Sequence, residues 1–272
     1  MPVGPWPSAG RRRPPDVAIK LKSQREIEQM RRAGAVVRTV LDRLAELAAP
    51  GVTTAALDAE AERLTAELGA VPLFKGVPGR GGPFPGTICA SINHEVVHGI
   101  PSARRVIGPA DAVSIDYGCR LEGYCGDAAS TFVMPEAPER VRQLVSATRR
   151  VLEMAIEMTR PGVRWSAIAG AMQHHAESLG FSVVRQFVGH GIGRDMWEDP
   201  KVPNFVSPEL LARDIVLEEG LVIAVEPMIN MGTPDVVMES DGWTVVTKDG
   251  KPSAHFEHTL AVTADGVDVL TD

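Results

Sequence analysis

The chain is poor in features that would place it outside the ordinary soluble globular classes. No apolar run approaches the length of a membrane span. The N-terminus carries no apolar signal core, so a cytoplasmic protein is expected. Cysteine is scarce: Cys89, Cys119 and Cys125 are odd in number and show no CxxC spacing, which excludes a disulfide framework and a cysteine-built zinc site and leaves reduced thiols. Positive charge is not in excess. The net charge of -7 argues against general nucleic-acid binding, DNA included. What is present is a 272-residue chain with 44% hydrophobic and 23% charged residues, enough apolar surface for one large core.

Residues 1–18 read as a Pro-, Gly- and Arg-rich tail with the basic run Arg11-Arg12-Arg13, and residues 19–272 as one domain. Solvation is the plain expectation for the tail. Transient contact with an anionic partner such as the ribosome is the functional one. Ser23 and Glu26 form a capping box in front of a helix to Ala49, with Ile27, Met30, Ala33, Val37, Val40, Leu41, Leu44 and Leu47 on one face. Pro50-Gly51 ends it, and Thr53 or Thr54 opens a second helix that stops at Leu68-Gly69. Shifted by 111 residues, the same layout recurs without a gap: Pro50, Gly51, Leu68 and Gly69 fall on Pro161, Gly162, Leu179 and Gly180. The chain is therefore two related halves, each a helix pair with strands, around a shared sheet in an α+β domain. Strands are expected near 86–93, 112–119, 124–133, 181–189, 221–230, 242–247 and 254–263. The Gly/Pro loop 76–85 has neither the following helix nor the Lys-Ser/Thr of a phosphate loop.

The 113–131 segment places Asp116 and Asp127 on a hairpin with its turn at Arg120-Leu121-Glu122-Gly123, which sets the two carboxylates roughly opposite each other. Two carboxylates that close repel unless a cation or a shared proton lies between them. His190 sits among Gly189, Gly191 and Gly193. Glu226 and Glu257 interrupt apolar strand patterns, where an unpaired carboxylate is costly. Four carboxylates and one imidazole make an oxygen-rich set suited to Mn, Fe or Co, with Zn allowed, and to two ions. His94-Glu95-Val96-Val97-His98 matches the HExxH pattern. Its Pro and Gly neighbours leave no room for the helix that zinc chemistry needs, so His94 is expected at the surface and His98 remains a functional candidate.

The stretches CASINHEVVHGIP, VSIDYG, GDAAST, GHGIGR, EDP, EPMIN and AHFEHTLAVT resemble the creatinase-like "pita-bread" peptidases, and within them the type I methionine aminopeptidases, from about Ile19 to the C-terminus. The resemblance implies that Asp116, Asp127, His190, Glu226 and Glu257 ligate two divalent metal ions. It also implies removal of the initiator Met from nascent polypeptides with a small second residue, by hydroxide held at the ions; a monomer is expected. It assigns Glu226 as general base and His98 as a hydrogen-bond partner of the scissile amide. Phe84, Cys89 and Trp243 match positions lining the Met side-chain pocket. The chain departs from the family pattern at Trp197, where a His is usual. An indole offers one N–H donor and no titratable nitrogen, so an orienting role is expected there. The loop 72–83 also departs, looking longer than the family's Gly-Tyr-rich form. Two alternatives stand beside this reading: a peptidase of the same fold acting on Xaa-Pro bonds, and a non-catalytic ribosome- or RNA-associated module.

Overall fold

In the computed structural model residues 19–272 are described, so the tail expected at 1–18 lies outside the described residues. Helix α1 (Gln24–Leu47) begins at the expected capping box. Ser23 Oγ accepts from the Glu26 N–H at 3.4 Å, and the Glu26 carboxylate accepts from the Ser23 N–H at 2.9 Å, which satisfies two donors that the helix itself leaves open. The expected apolar stripe is buried from Ile27 to Leu44, with Leu47 half-buried at the end. Gly34 lies mid-helix, where glycine costs about 1 kcal/mol relative to alanine. A Cβ there would come within 1.8 Å of the Leu270 carbonyl oxygen, so its absence lets the helix backbone lie on the C-terminal segment. Thr53 caps α2 (Thr54–Glu67), accepting the Ala56 N–H at 3.2 Å.

The second half repeats the first. Helices α3 (Glu139–Met158) and α4 (Trp165–Ser178) follow, and α2 shifted by 111 residues coincides with α4 at both ends. The breaks repeat as well. Gly51 and Gly162 take φ of 94° and 82°, and their N–H groups donate to the carbonyls of Ile107 and Leu217, each at 2.8 Å.

Among the described residues all strand pairing is antiparallel, and the ladder is divided into four small sheets instead of the one shared sheet expected. In the first half, β1 (Val71–Pro72), β2 (Cys89–Ile92), β4 (Ala112–Leu121) and β5 (Tyr124–Val133) form one sheet centred on β4. Strand β3 (Glu95–Val97) pairs outside it with β12 (Val245–Thr247), which also pairs with β11 (Val236–Met238). In the second half, β7 (Gly189–Gly191), β8 (Glu198–Val202), β9 (Val222–Val225), β14 (His258–Thr263) and β15 (Gly266–Val269) share a sheet. Strands β6 (Ser182–Val183), β10 (Met228–Asn230) and β13 (Ser253–His255) form another, and a short helix α5 (Pro208–Ala212) precedes β9. The expected strands 221–230 and 254–263 each break in the middle, at Glu226-Pro227 and at Phe256-Glu257. Pro227 has no N–H for a ladder, which accounts for the first break.

The two-residue side-chain period sorts the strands into faces. Val113, Ile115, Tyr117 and Cys119 of β4 pack against α1 and α2. Ile223 and Val225 of β9, with Leu260 and Val262 of β14, pack against α3 and α4. The helices therefore cover the outer faces of both half-sheets. The alternate residues, among them Asp116, Asp127, Glu226 and Glu257, are left on the inner faces, where the halves meet at an isolated bridge between Ala129 and Glu257.

Candidate metal centre

The β4–β5 hairpin turns at Glu122-Gly123, whose φ values of 49° and 86° mark the mirror-image two-residue turn that matches strand twist. The turn is tighter than the sequence suggested, and the register corrects one expectation. Asp116 pairs with Ala129 and Asp127 with Gly118, so the two carboxylates are diagonal neighbours on one face instead of opposite partners. Gly118 leaves the room: a Cβ there would lie 2.9 Å from Asp127 Oδ1. Asp127 is fixed through its backbone. Its N–H donates to Thr259 Oγ1 at 3.1 Å, and that hydroxyl donates to the Asp127 carbonyl at 2.8 Å. Glu257 exchanges backbone hydrogen bonds with Ala129 at 2.9 and 3.3 Å. Glu226 is anchored by Asn204, whose Nδ2 donates to its carbonyl at 3.0 Å.

These anchors bring Asp127, His190 and Glu257 together, with one potential ligand atom from each lying within 4.8 Å of the others. Glu226 adjoins them, its Oε1 at 3.6 Å from His190 Nε2, and Asp127 Oδ2 lies 4.0 Å from the same nitrogen. His190 Nδ1 sits 2.9 Å from the Gly191 carbonyl. That contact makes Nδ1 the protonated nitrogen and turns the Nε2 lone pair toward the carboxylates. Asp116 joins electrostatically, from its diagonal place beside Asp127. Asp127 and Glu257 are deeply buried, whereas Asp116, His190 and Glu226 keep some exposure.

Burial followed by mutual repulsion raises the carboxyls of Asp116, Glu226 and Glu257 well above the usual range. Burial likewise raises Asp127 to about 7, against an opposing hydrogen bond from the Ala128 N–H. Burial lowers His190 to about 4, so the ring is neutral near pH 7. Asp116 Oδ1, Asp127 Oδ1 and Glu257 Oε1 are buried without a protein hydrogen-bond partner. Buried oxygens are normally satisfied. Converging unsatisfied carboxylate oxygens beside an imidazole lone pair fit divalent cations of the kind that accept O and N ligands.

Next to this cluster lies a group of packed apolar side chains. Phe84, Cys89 and Trp243 are buried together with Phe74 and Met196. Phe84 and Trp243 meet edge-to-face at 5.0 Å, and Trp243 Nε1 donates to the Gly82 carbonyl at 3.0 Å. The glycines of the 76–85 loop now have a reason: a Cβ at Gly79 would lie 2.2 Å from the Trp243 ring. Cys89 joins this apolar group to the carboxylates, because it stands directly opposite Asp116 across β2 and β4. Burial followed by the nearby carboxylates holds its thiol protonated.

The HExxH stretch is not helical. Glu95–Val97 is β3, and His98 follows with a left-handed φ of 60°. His94 is half-buried in the preceding turn, a correction to the surface position expected for it. His98 sits edge-on to Phe187 at 5.4 Å, and burial lowers its imidazole to about 4, so it too is neutral. Trp197 is 41% exposed and faces His190 edge-on, ring centroids 6.5 Å apart. Sequence reasoning missed Phe74, Met196, Phe187 and His255. Met196 adjoins Trp197 in sequence, and His255 lies two residues before Glu257, so proximity to chosen residues was the available signal. His255 is 2% exposed and its Nε2 has no hydrogen-bond partner.

A buried carboxylate–imidazole cluster between two related half-sheets defines a metal-dependent hydrolase class, and residues 28–264 match the model of metallopeptidase family M24, to which the chain belongs. Within it the chain groups with the methionine aminopeptidases. It is 45% identical over 253 residues to the methionine aminopeptidase of Clostridium acetobutylicum, covering 93% of this chain and 98% of that one. It is 44% identical to methionine aminopeptidase 1 of Bacillus subtilis, covering 93% and 99%. The solved methionine aminopeptidase of Thermotoga maritima superposes with a TM-score of 0.88 at 41% identity, over 94% of this chain and 100% of that one. A prolidase from Pyrococcus furiosus shares the fold at a TM-score of 0.71 and 20% identity, over 93% of this chain and 65% of its own. The last likeness speaks for the fold alone.

Proposed function

We propose that the protein removes N-terminal methionine from polypeptides with a small second residue, as a metal-dependent aminopeptidase. The observation that carries this reading is the Asp127–His190–Glu257 convergence, with Glu226 beside it, one cross-strand pair from a cluster of buried apolar side chains. Asp116, Asp127, His190, Glu226 and Glu257 would hold two divalent ions, Mn, Fe or Co, with Zn acceptable to the same donors. Bound there, such ions supply Lewis acidity for a carbonyl and acidify a water toward neutral pH.

The chain's own residues do the rest. Phe84, Cys89 and Trp243, with Phe74 and Met196, would receive the methionine side chain, their soft apolar surface suiting an unbranched thioether. The Cys89 thiol stays protonated, so it joins that surface as a small apolar group instead of a nucleophile. His98, neutral, has an N–H to offer the scissile amide. Glu226, partly exposed and with a raised carboxyl, is placed to take and return the proton as general base. Trp197, edge-on to His190, has one N–H donor and orients the substrate without moving a proton. The proposal extends to a cytoplasmic monomer acting on nascent chains, with Arg11-Arg12-Arg13 as a transient ribosome contact. Its support is the basic run Arg11-Arg12-Arg13 in a chain of net charge -7. No helix among the described residues is long and apolar enough to cross a membrane.

The test is release of free Met from Met-Xaa-Ser peptides after chelation and reloading with each metal in turn, with Xaa-Pro peptides as the control. Release from Met-Ala-Ser and not from Xaa-Pro supports the reading. The reverse preference makes the protein an Xaa-Pro peptidase, and no release with any metal makes it a non-catalytic member of the fold.

A further inference from the structure

We propose that Lys22 and Glu198 are positioning residues: their buried ion pair fixes the 193–198 segment so that Met196 packs into the apolar group of Phe84 and Trp243 and Trp197 stands beside the carboxylate cluster. The assignment of what that group receives rests on the aminopeptidase reading; the strut itself does not.

Up to Glu198, the first residue of β8, the link from β7 has no regular structure of its own. Glu198 supplies the missing order. Its Oε1 lies within reach of the Arg194 N–H at 3.1 Å and the Asp195 N–H at 3.4 Å, and its Oε2 accepts from Lys22 Nζ at 2.7 Å. The carboxylate at the end of the loop thereby closes on the amides at its start. Lys22 also donates to the Lys20 carbonyl at 2.9 Å, and its own N–H is tied to the Gly220 carbonyl at 2.7 Å. Both side chains are 6% exposed, so the pair is screened from water and closed to substrate. Buried charges persist where each has its partner and its hydrogen bonds, and here each has both.

Gly193 is part of the device. A Cβ there would lie 2.6 Å from Glu198 Oε1 and 2.8 Å from Lys22 Cε, which gives the last glycine of Gly189-His190-Gly191-Ile192-Gly193 a packing reason separate from His190. The far side of the loop rests on the hairpin. Arg194 lies 4.4 Å over the Tyr124 ring and donates to its hydroxyl at 2.7 Å, and the Cys125 N–H donates to the Gly193 carbonyl at 2.8 Å. The Cys125 thiol points at the Arg194 carbonyl at 3.5 Å. Between these anchors the loop delivers Met196, 7% exposed in the apolar cluster, and Trp197. Asp116, Asp127, Glu226 and Glu257 lie outside the segment, so loosening it disturbs substrate binding before it disturbs the metal cluster.

The experiment compares wild type with Lys22→Met as full-length protein. Kinetics use Met-Ala-Ser. The second readout is ¹⁹F NMR of 5-fluorotryptophan-labelled protein, with the Trp197 resonance assigned by its loss in Trp197→Phe. Metal binding is followed by the thermal shift with Mn(II). The expected result is a KM raised about tenfold with a smaller change in kcat, a shifted or broadened Trp197 resonance and an unchanged Mn(II) effect. A folded Lys22→Met protein with wild-type KM and an unmoved Trp197 resonance would overturn the proposal. Should Lys22→Met not fold, the exchange Lys22→Met/Glu198→Met leaves no unpaired buried charge and reads the same quantities. If wild type releases no Met, the aminopeptidase reading fails, while the ¹⁹F comparison still decides whether the strut positions Trp197.

Discussion

Asp127→Asn should stabilise the chelated protein at alkaline pH while removing its response to metal. Asp127 is 2% exposed and packed among carboxyls that repel it. Its folded-state value of about 7 lies above the 3.8 usual for an aspartate. The fold therefore favours the protonated form. The stability linked to that proton is fully present below the unfolded value and is lost as pH rises through about 7. A rise of about 3 pH units corresponds to about 4 kcal/mol. Of this, roughly 2–3 kcal/mol falls between pH 5 and pH 8, since the loss is already under way at pH 5. Asparagine keeps the shape and carries no charge at any of these values. Urea unfolding in chelator should thus show wild type losing stability from pH 5 to pH 8. Asp127→Asn should follow a shallower course and be the more stable protein at pH 8 by about 2–4 kcal/mol. Mn(II) at one thousand times its Kd should reverse the order, because a ligand that binds only the folded state then adds about 4.1 kcal/mol. The variant, lacking a ligand carboxylate, should gain little. The reasoning is refuted if chelated wild type is equally stable at pH 5 and pH 8, or if Asp127→Asn is the less stable protein at pH 8.

His98→Ala should lower kcat on Met-Ala-Ser by about 10²–10³-fold with metal content unchanged, the loss typical of one transition-state donor. His94→Ala should leave kcat within about twofold, since His94 lies in the turn before β3 and outside the apolar group and the carboxylate cluster; the reverse pattern would restore a zinc-protease reading. Phe84→Ala should cost about 3–5 kcal/mol of stability and raise KM more than it lowers kcat, as urea unfolding and initial rates will tell. Gly34→Ala should destabilise by about 1–3 kcal/mol despite alanine's better helix propensity, because its Cβ would meet the Leu270 carbonyl at 1.8 Å; a higher melting temperature would contradict that packing.

The helices and the duplication were legible in the sequence because their signals are local. Ser23 and Glu26 announce a cap within four residues, and Pro-Gly breaks recur at one offset in both halves. The strand ends were less legible. Glu226-Pro227 and Phe256-Glu257 lie inside continuous β-like patterns, and only the three-dimensional bend shows that each interrupts a strand. The hairpin register depended on turn type. Reading a four-residue turn where Glu122-Gly123 make a two-residue one moved Asp116 and Asp127 from opposite to diagonal. The candidate ligands stood out because carboxylates in apolar strands need a physical reason. Met196, Phe74 and Phe187 did not, since a buried apolar side chain needs none. The Lys22–Glu198 pair joins residues 176 positions apart, a separation that no local pattern reports.

The duplication also accounts for why the charges converge. The bridges Thr53–Val106 and Arg164–Val216 place the two halves in the same frame, and β4 and β9 then begin at Ala112 and Val222, 110 residues apart. Asp116 and Glu226 are each the fifth residue from those starts, so one position of an ancestral-like half supplies an inward carboxylate twice. Each half would gain from an apolar residue there, because burial alone makes a carboxylate costly. The cost is offset only where the two inner faces meet and a cation can be shared between them. A carboxylate on one half and its counterpart on the other are therefore not independent features of the fold. Removing either takes one repelling charge from the carboxylates that remain, so a neutral substitute at Asp116 or Glu226 should, like Asp127→Asn, ease the metal-free contact between the halves while weakening the hold on a shared cation.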